Sequence, residues 1–351
     1  MRRMTETPRN RIQNPLPPAS CLRSLTGIKS GKPLRLGVLS NPLSGGNHKG
    51  FQIIHDVLAG YPEIHHLTAT TPPEMVAAID AFSQKKIDIL AVNGGDGTVH
   101  AILTVLFRRP EPRPVLALLR SGTASMICRD VGLPGSRRQG LNSLLDWVCN
   151  GHGNPRLVER PVLKVQAGDN REPLYGMFFG AAGICQGIEF CLTRIHTRGV
   201  GGQLAAGITL ARFLLAAARG KNDTLFPVSF TIALDNDPPV QRDFSLILVT
   251  SLERLFLGLR PYWRTGPQPL YYTALNAHPA HMLHAVPSLL RGRKNRFTLP
   301  EYGYETRNIE EAELFFTGRF TLDGELYATD SQSERLIVTE GGTASFLVIK
   351  P

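Results

Sequence analysis

The chain has 351 residues, a formal net charge of +10 and five cysteines. A chain of this length is too long to fold around one ordinary hydrophobic core, so we predict two domains with a cleft between them. The cysteines are scattered, odd in number and without a CxxC pair, which argues against a disulfide framework or a structural zinc site. Because the sequence lacks an 18-residue apolar run and the apolar core of a signal peptide, we expect a cytoplasmic protein.

The positive charge suits three kinds of partner: nucleic acid, an anionic membrane surface or a phosphorylated substrate. Aromatic residues make up 7% of the chain and do not alternate with basic residues as they do in nucleic-acid stacking platforms. We therefore expect no nucleic-acid partner and favour peripheral contact with the anionic inner face of a membrane. The sequence leaves a homodimer open.

Residues 1–32 contain seven basic residues, several prolines and a single acid, Glu6. This composition, with no apolar period, predicts a flexible basic tail. Two interpretations stay open: a solvated extension without function, and weak electrostatic attachment to anionic lipid.

From Leu34 the pattern alternates between strand, glycine-rich turn and helix, which predicts a parallel sheet flanked by helices over residues 33–155. Ligands of such sheets bind at the carboxyl ends of the strands. The predicted strands end at residues 39, 92 and 119, the turns after them span 40–46, 93–98 and 121–123, and the predicted helices span 51–58, 72–82 and 99–106.

After about Arg156 the sequence changes to short runs of β-forming residues, which predicts an antiparallel sandwich or barrel over residues 156–351. One helical interruption at 204–218 is apolar almost all round apart from Arg212, as expected of a helix that is buried or touches lipid. The predicted class is therefore an α/β domain followed by a β-sandwich-like domain, with the active site in the cleft between them. The predicted strands are 163–166, 175–179, 228–234, 245–250, 270–274, 312–316 and 336–338.

The segment Gly94-Gly95-Asp96-Gly97-Thr98 lies between a predicted strand and a predicted helix. Backbone N–H groups at a helix start can face an anion, and glycines allow close approach. A carboxylate such as Asp96 beside polyphosphate needs a bridging divalent cation or a proton. An ordinary tight turn with Asp96 or Thr98 as N-cap is the alternative, but glycine-containing turns at the ends of three strands favour a nucleotide, which needs several converging loops.

These motifs resemble the catalytic domain of the diacylglycerol kinase and sphingosine kinase superfamily over residues 34–133. Asn-Pro-x-Ser-Gly at 41–45, Gly-Gly-Asp-Gly-Thr at 94–98 and Gly-Thr at 122–123 match that family, and Asp323-Gly324-Glu325 extends the resemblance to nearly the whole chain after residue 33. The resemblance implies an ATP-dependent kinase that uses Mg²⁺ and phosphorylates a hydroxyl group on a membrane lipid. Without the other matches, Asp323-Gly324 reads as a hairpin turn.

The resemblance also implies roles for individual residues. Asp323 is the expected base, Glu325 assists it or helps to hold the metal, and Asp96 acts mainly through Mg²⁺. A carboxylate of ordinary pKa is ionised at pH 7, so Asp323 needs no strong pKa shift for this role. The residues expected to contact the nucleotide are Asn41, Ser44, Thr70, Gly94, Gly95, Asp96, Gly97, Thr98, Gly122 and Thr123.

Two departures from the family pattern affect these expectations. Ser125 and Met126 stand where relatives have Asn-Asp, which weakens predictions about contacts there. Residues 266–270 lack the aspartates that bind a structural magnesium in many bacterial members, so we expect no such ion there. Diacylglycerol is the first choice of acceptor, with ceramide, a sphingoid base and monoacylglycerol as alternatives.

Two other functions remain open at this stage: a kinase for the soluble dinucleotide NAD and a catalytically dead lipid-binding module. The Asp-Gly-Glu motif and the β-rich second half argue against the first, and the retention of Asp96 and Asp323 argues against the second. The apolar runs 177–179 and 255–257 fit either acyl-chain contacts or core packing. The densest basic cluster outside the tail fits either lipid phosphates or a solvated face, and comprises Arg291, Arg293, Lys294 and Arg296.

Overall fold

A computed structural model describes residues 34–44, 50–110, 112–120, 125–190, 227–263, 265–329 and 334–350. The predicted basic tail at 1–32, the predicted helix at 204–218 and the predicted turn residues Gly122 and Thr123 lie outside these described residues.

Four parallel strands form the first part of the sheet: β1 (Leu36–Ser40), β2 (His65–Thr68), β3 (Ile89–Gly94) and β4 (Val115–Arg120). They pair in the order β2-β1-β3-β4, which confirms the predicted parallel sheet. β1 and β3 are buried along their whole lengths, as expected of parallel strands covered on both faces. Ser40 pairs with Asn93, so the turns that follow β1 and β3 leave the sheet side by side.

The helices of this part are α1 (Phe51–Leu58), α2 (Pro72–Gln84), α3 (Asp96–Phe107), α4 (Met126–Val131) and α5 (Arg137–Asn150). Two of them start at a capping box, formed by Thr71 and Glu74 at the start of α2 and by Ser136 and Gln139 at the start of α5. None of the helices in the described part of the chain is long and apolar enough to cross a membrane.

The second part of the chain is dominated by antiparallel strands. A cluster of buried aromatic and aliphatic side chains, including Phe230, Tyr272 and Phe316, fills its interior. The strands are β5 (Asn154–Ala167), β6 (Leu174–Gly176), β7 (Phe178–Ala182), β8 (Val228–Leu234), β9 (Val240–Thr250), β10 (Leu270–Asn276), β11 (Tyr304–Ile309), β12 (Glu311–Phe315), β13 (Arg319–Leu322), β14 (Glu325–Ala328) and β15 (Arg335–Lys350), and the helices are α6 (Gly183–Phe190) and α7 (Met282–Arg291).

Strand β15 links the two parts of the sheet. It pairs with β5 from Leu336 to Lys350, and its residue Phe346 also pairs in parallel with Leu116 of β4. Ala344 and Phe346 belong to the same buried apolar cluster as side chains of α3. The described strands therefore form one 15-stranded network of hydrogen bonds, not two separate sheets. The domain boundary at residues 155 and 156 stays a prediction.

Candidate active site

The Gly-Gly-Asp-Gly-Thr segment runs from the end of β3 into the start of α3. Gly94 is the last residue of β3, Gly95 is the N-cap, and Asp96 is the first helical residue. The helix thus begins before the predicted Val99, so Gly97 lies in its first turn. The first N–H groups of a helix have no partner inside it, and this end of the helix attracts anions. The segment can therefore hold phosphate.

The three glycines of this segment have different surroundings. A Cβ on Gly94 would collide with the side chain of Thr98, and a Cβ on Gly97 would collide with Oε1 of Glu325. A Cβ on Gly95 would meet nothing within 4 Å. Close protein contacts therefore require glycine at 94 and 97, whereas the backbone at 95 faces open space from which a ligand can approach.

The turn after β1 packs against the same segment. The side-chain amide of Asn41 donates to Oγ1 of Thr98 at 3.1 Å, and its backbone N–H donates to the carbonyl oxygen of Asn93 at 2.9 Å. Ser44 donates from Oγ to the carbonyl oxygen of Asn41 at 3.1 Å. The structure thus brings Asn41, Ser44 and Thr98 together at the ends of β1 and β3.

Thr70 lies just before α2 and holds the start of that helix. Its N–H and its hydroxyl group both donate to Oε2 of Glu74, at 2.7 and 2.8 Å. These hydrogen bonds lower the pKa of the Glu74 carboxyl group. Because the Thr70 hydroxyl already has this partner, its contact with a nucleotide stays a prediction.

Asp96 is held by the start of α4. Its carboxylate accepts hydrogen bonds from Oγ of Ser125 at 2.6 Å, the N–H of Met126 at 2.7 Å and the N–H of Ile127 at 3.2 Å. Burial raises the pKa of Asp96, and these hydrogen bonds oppose that rise. Ser125 and Met126, the two residues that depart from the family pattern, therefore position Asp96 together with Ile127.

Asp323 and Gly324 form the two-residue turn between β13 and β14, and both have positive φ, 52° and 96°. The Asp323 side chain has no exposed surface and accepts hydrogen bonds from the N–H groups of Met177 and Phe178 at 2.9 to 3.1 Å. Its Oδ2 fills the space in which a Cβ of residue 176 would lie, which explains Gly176. The hairpin-turn reading is thus correct, and the turn also carries a buried carboxylate.

The buried position of Asp323 changes its pKa. Burial, and next the nearby charge of Asp96, raise the pKa of Asp323 well above its usual value. The N–H groups of Met177 and Phe178 act in the opposite direction. The proposed role as base did not require a shifted pKa, but the structure shifts it because the side chain is removed from water entirely.

Glu325 is the first residue of β14 and is exposed. Its Oε1 lies against the α-carbon of Gly97, in the first turn of α3. The hairpin that carries Asp323 and Glu325 therefore lies directly beside the glycine-rich segment.

His100 on α3 is a site residue that the sequence did not indicate. Its Nδ1 lies 2.9 Å from the carbonyl oxygen of Tyr175 and 3.8 Å from Oδ2 of Asp323, and its Nε2 lies 2.8 Å from the hydroxyl of Tyr327. Burial lowers the pKa of His100 to about 4, so the ring is neutral at neutral pH. Because a carbonyl oxygen only accepts, Nδ1 carries the proton and Nε2 accepts from Tyr327.

The carboxylates differ in how well they suit a metal ion. Among the described residues, no group of three or more His, Cys, Asp or Glu side chains could hold one. Both oxygens of Asp96 accept from protein donors, and Asp323 is buried, whereas Glu325 is exposed beside the helix start. Mg²⁺ in kinases uses one or two carboxylates together with substrate phosphates and water. Glu325 fits that requirement better than the predicted Asp96.

Comparisons with a family model and with solved structures both indicate similarity to diacylglycerol kinases. Residues 35–152 match the family model of the diacylglycerol kinase catalytic domain. The fold is similar to a crystal structure of a candidate diacylglycerol kinase from Bacillus anthracis, with a TM-score of 0.60, 17% identity, and coverage of 90% of this chain and 97% of that one. A second structure, described as a diacylglycerol kinase from the same organism, gives a TM-score of 0.56 and 16% identity over the same coverage. No curated protein sequence matches the chain.

The family match spans the strands and helices that build the glycine-rich segment, and the structural likeness shows that the fold is shared over most of the chain. The match identifies residues 35–152 as a diacylglycerol kinase catalytic domain, and the protein is a kinase, a phosphotransferase.

Proposed function

We propose that the protein transfers the γ-phosphoryl group of ATP to a hydroxyl group of a membrane lipid, with diacylglycerol as the first candidate acceptor and phosphatidic acid as its product. The observation that carries the proposal is the contact between Glu325 and Gly97, which places a carboxylate beside a helix start suited to phosphate. Phosphoryl transfer depends on positioning and charge neutralisation more than on covalent chemistry.

In this proposal the phosphates of ATP lie at the start of α3, beside the open face of Gly95. The hydrogen bond between Asn41 and Thr98 fixes the turn after β1 against that helix. Gly122 and Thr123 are assigned to the nucleotide by the family resemblance alone. Mg²⁺, when bound, would neutralise charge on the phosphates, and Glu325 would be the carboxylate that holds it.

The acceptor hydroxyl must lose its proton during transfer. The family resemblance assigns this proton to Asp323, and a raised pKa strengthens a carboxylate as proton acceptor. Asp323 has no exposed surface, so a hydroxyl reaches it only if the hairpin moves, whereas Glu325 is open to an acceptor in the present conformation. Glu325 thus has two competing roles, metal ligand and proton acceptor.

Peripheral contact with the cytoplasmic face of a membrane is part of the proposal. Helix α7 exposes 60% of Leu283 and leads into four exposed basic residues that form no ion pair with other described residues. Anionic lipid attracts such a cluster, and an exposed leucine can enter the interface. This basic patch comprises Arg291, Arg293, Lys294 and Arg296.

The acceptor pocket is less defined. Met177, Phe178 and Phe179 are buried in the protein interior, which supports core packing for that apolar run. Leu255 is buried as well. Neither run selects among glycerol-based and sphingoid lipids, so ceramide and sphingoid bases stay alternative acceptors.

The deciding experiment is transfer of radiolabelled phosphate from ATP, with Mg²⁺, to diacylglycerol, ceramide, a sphingoid base and monoacylglycerol in mixed micelles. We expect label in diacylglycerol and its loss in the Glu325→Gln variant. NAD serves as the soluble acceptor control. A folded protein that binds ATP but labels none of the five acceptors would instead support a lipid-binding module without activity.

A further inference from the structure

We propose that His100 is a positioning residue for phosphoryl transfer: its imidazole ties the helix that starts at the glycine-rich segment to the hairpin that carries Asp323 and Glu325. The catalytic consequence of this link rests on the proposed function. The link itself rests only on the contacts described below.

The imidazole of His100 connects three elements. His100 lies four residues after Asp96 on α3, hence on the same face of the helix. Its Nδ1 donates to Tyr175 of β6, and its Nε2 accepts from the hydroxyl of Tyr327 on β14. Tyr327 follows Glu325 by two residues in a strand, so the two side chains leave β14 on the same face. A shift of the His100 ring would therefore displace the strand that presents Glu325.

The surroundings hold this ring in one place and one charge state. His100 is 5% exposed, and Nδ1 lies 3.8 Å from Oδ2 of Asp323. A protonated ring would carry a second N–H at Nε2 and could not accept from Tyr327. The ring of Tyr327 stacks on Phe320 of β13 with a centroid distance of 5.4 Å. This stacking fixes the position of the hydroxyl group that donates to Nε2 of His100.

Thr104 provides an internal comparison for a purely structural role. It lies one turn further along α3, is 8% exposed, and exchanges two hydrogen bonds with the backbone of Tyr175, at 3.0 and 3.1 Å. Thr104 thus binds α3 to β6 as His100 does, but it has no hydrogen bond to the hairpin. If His100 only stabilises the fold, variants at positions 100 and 104 should have similar effects on phosphoryl transfer. If it positions the hairpin, only variants of His100 should slow the transfer.

The test compares His100→Leu, Tyr327→Phe, their double variant and Thr104→Val in steady-state transfer to the preferred acceptor, below the unfolding temperature of each. We expect kcat to fall about tenfold or more in the first two, because small misplacements of reacting groups are costly, while KM for ATP stays within about twofold. The double variant should lose no more than His100→Leu alone. Thr104→Val should keep kcat within about twofold while its thermal stability falls.

A further variant and a second measurement keep the test decisive. His100→Gln, whose amide has a donor and an acceptor, should recover part of the lost kcat. Equal kcat in His100→Leu and Thr104→Val, or additive losses in the double variant, would overturn the proposal. If His100→Leu does not fold, Tyr327→Phe carries the comparison, because it keeps the stacked ring and removes only the hydroxyl.

The link is also testable if the wild-type protein transfers phosphate to none of the acceptors, an outcome that refutes the proposed function. Amide hydrogen exchange then measures the hairpin directly. Tyr327→Phe should speed exchange at residues 325–328 and leave residues 96–107 unchanged, since Thr104 still binds α3 to β6. Unchanged exchange at 325–328 would overturn the proposal.

Discussion

The carboxylate of Glu325 occupies the volume that a side chain at residue 97 would need. Two motifs far apart in the sequence are therefore sterically dependent on each other: glycine in the first turn of α3 leaves room for glutamate at the start of β14. This dependence permits a test of the site that is separate from the stability of the fold.

Gly97→Ala should reduce activity without unfolding the protein. The added methyl group meets only the flexible end of Glu325, which can swing away at little cost in stability but leaves its place beside the helix start. We expect kcat to fall about tenfold or more, with a change in the free energy of unfolding below about 0.5 kcal/mol. Kinetics and thermal unfolding measure the two effects.

Gly94→Ala and Gly95→Ala serve as controls for that variant. At residue 94 the methyl group meets the branched side chain of Thr98 within the helix, and we expect a loss of about 1 to 3 kcal/mol in the free energy of unfolding. At residue 95 it meets no protein atom, so stability should persist while KM for ATP rises. Normal activity in Gly97→Ala would contradict the proposed place of Glu325.

Asp323→Asn should lower both stability and turnover while ATP binding persists. Asparagine accepts the positive φ of residue 323, and its Oδ1 can still accept from the N–H groups of Met177 and Phe178, but its NH₂ group in the place of Oδ2 would face the N–H group of Met177. A buried donor that faces another donor costs about 1 to 3 kcal/mol. Calorimetry with ATP and steady-state kinetics separate binding from turnover. Near-normal turnover would show that Asp323 is not the base.

Glu325→Gln should lower turnover without loss of stability, because the side chain is exposed. A titration with Mg²⁺ distinguishes its two roles. If Glu325 binds the ion, the Mg²⁺ concentration for half-maximal activity rises in the variant. If it accepts the proton, that concentration stays the same while kcat falls. An unchanged kcat at every Mg²⁺ concentration would remove Glu325 from the site.

If Asp96 acts through the metal, as the family resemblance implies, Asp96→Asn should lose Mg²⁺-dependent activity. The variant should also weaken α4, because the N–H groups of Met126 and Ile127 donate to different oxygens of Asp96 and the new NH₂ group must oppose one of them. We expect about 1 to 3 kcal/mol of lost stability. Ser125→Ala is the control: it removes one hydrogen bond to Asp96 without changing its charge. If Asp96→Asn responds to Mg²⁺ like the wild type, Asp96 does not act through the metal.

His100 should make stability fall in acid. Its pKa lies at about 4 in the folded protein, below the ordinary value of 6.5, so the unfolded chain binds the proton more readily between these values. The contribution of the neutral His100 ring to the free energy of unfolding is present above pH 6.5 and is lost as pH falls to 4. Its magnitude is on the order of 3 kcal/mol. Urea unfolding at several pH values should show a shallower decline for His100→Leu than for the wild type. Equal slopes would contradict this prediction.

The basic patch should direct binding to anionic vesicles. Changing all four of its residues to glutamine should remove the preference for anionic over neutral vesicles in a sedimentation assay, since each basic residue near such a surface contributes about 1 kcal/mol. The control for net charge changes Lys85 and Lys86, on the exposed turn after α2, to glutamine, and its match is a patch variant with only Arg293 and Lys294 changed. The control should keep more of the preference than this matched variant. Equal losses in both variants would indicate a general charge effect.

The sequence predicted three of the four parallel strands, because strand, glycine turn and helix repeat there with clear periods, but it missed β2. It predicted β15 only at residues 336–338, since Gly341 and Gly342 interrupt the apolar pattern at an irregularity in the strand pairing. Pro155 and Pro161 similarly concealed the early part of β5. Helices α4 and α5 were missed although Ser125 and Ser136 provide N-cap signals.

At the site, motif matching selected residues that the structure brings together around the start of α3, but it did not reveal what holds them. The hydrogen bond from Ser125 to Asp96 could have been suspected from the N-cap pattern. The contacts of His100 could not, because a histidine on an apolar helix gives no sign of partners that arrive from β6 and β14.

Strand β15 also bears on how the protein can be divided. Residues 35–152 match a single family model, but they do not form a complete structural unit. Strand β15, from the far end of the chain, pairs with β4 at the edge of their sheet, and its Phe346 fills part of their hydrophobic interior. An excised fragment would expose unpaired strand groups and an apolar gap, which favours aggregation. Late truncation or proteolytic clipping of β15 should therefore abolish activity while every motif residue is still present.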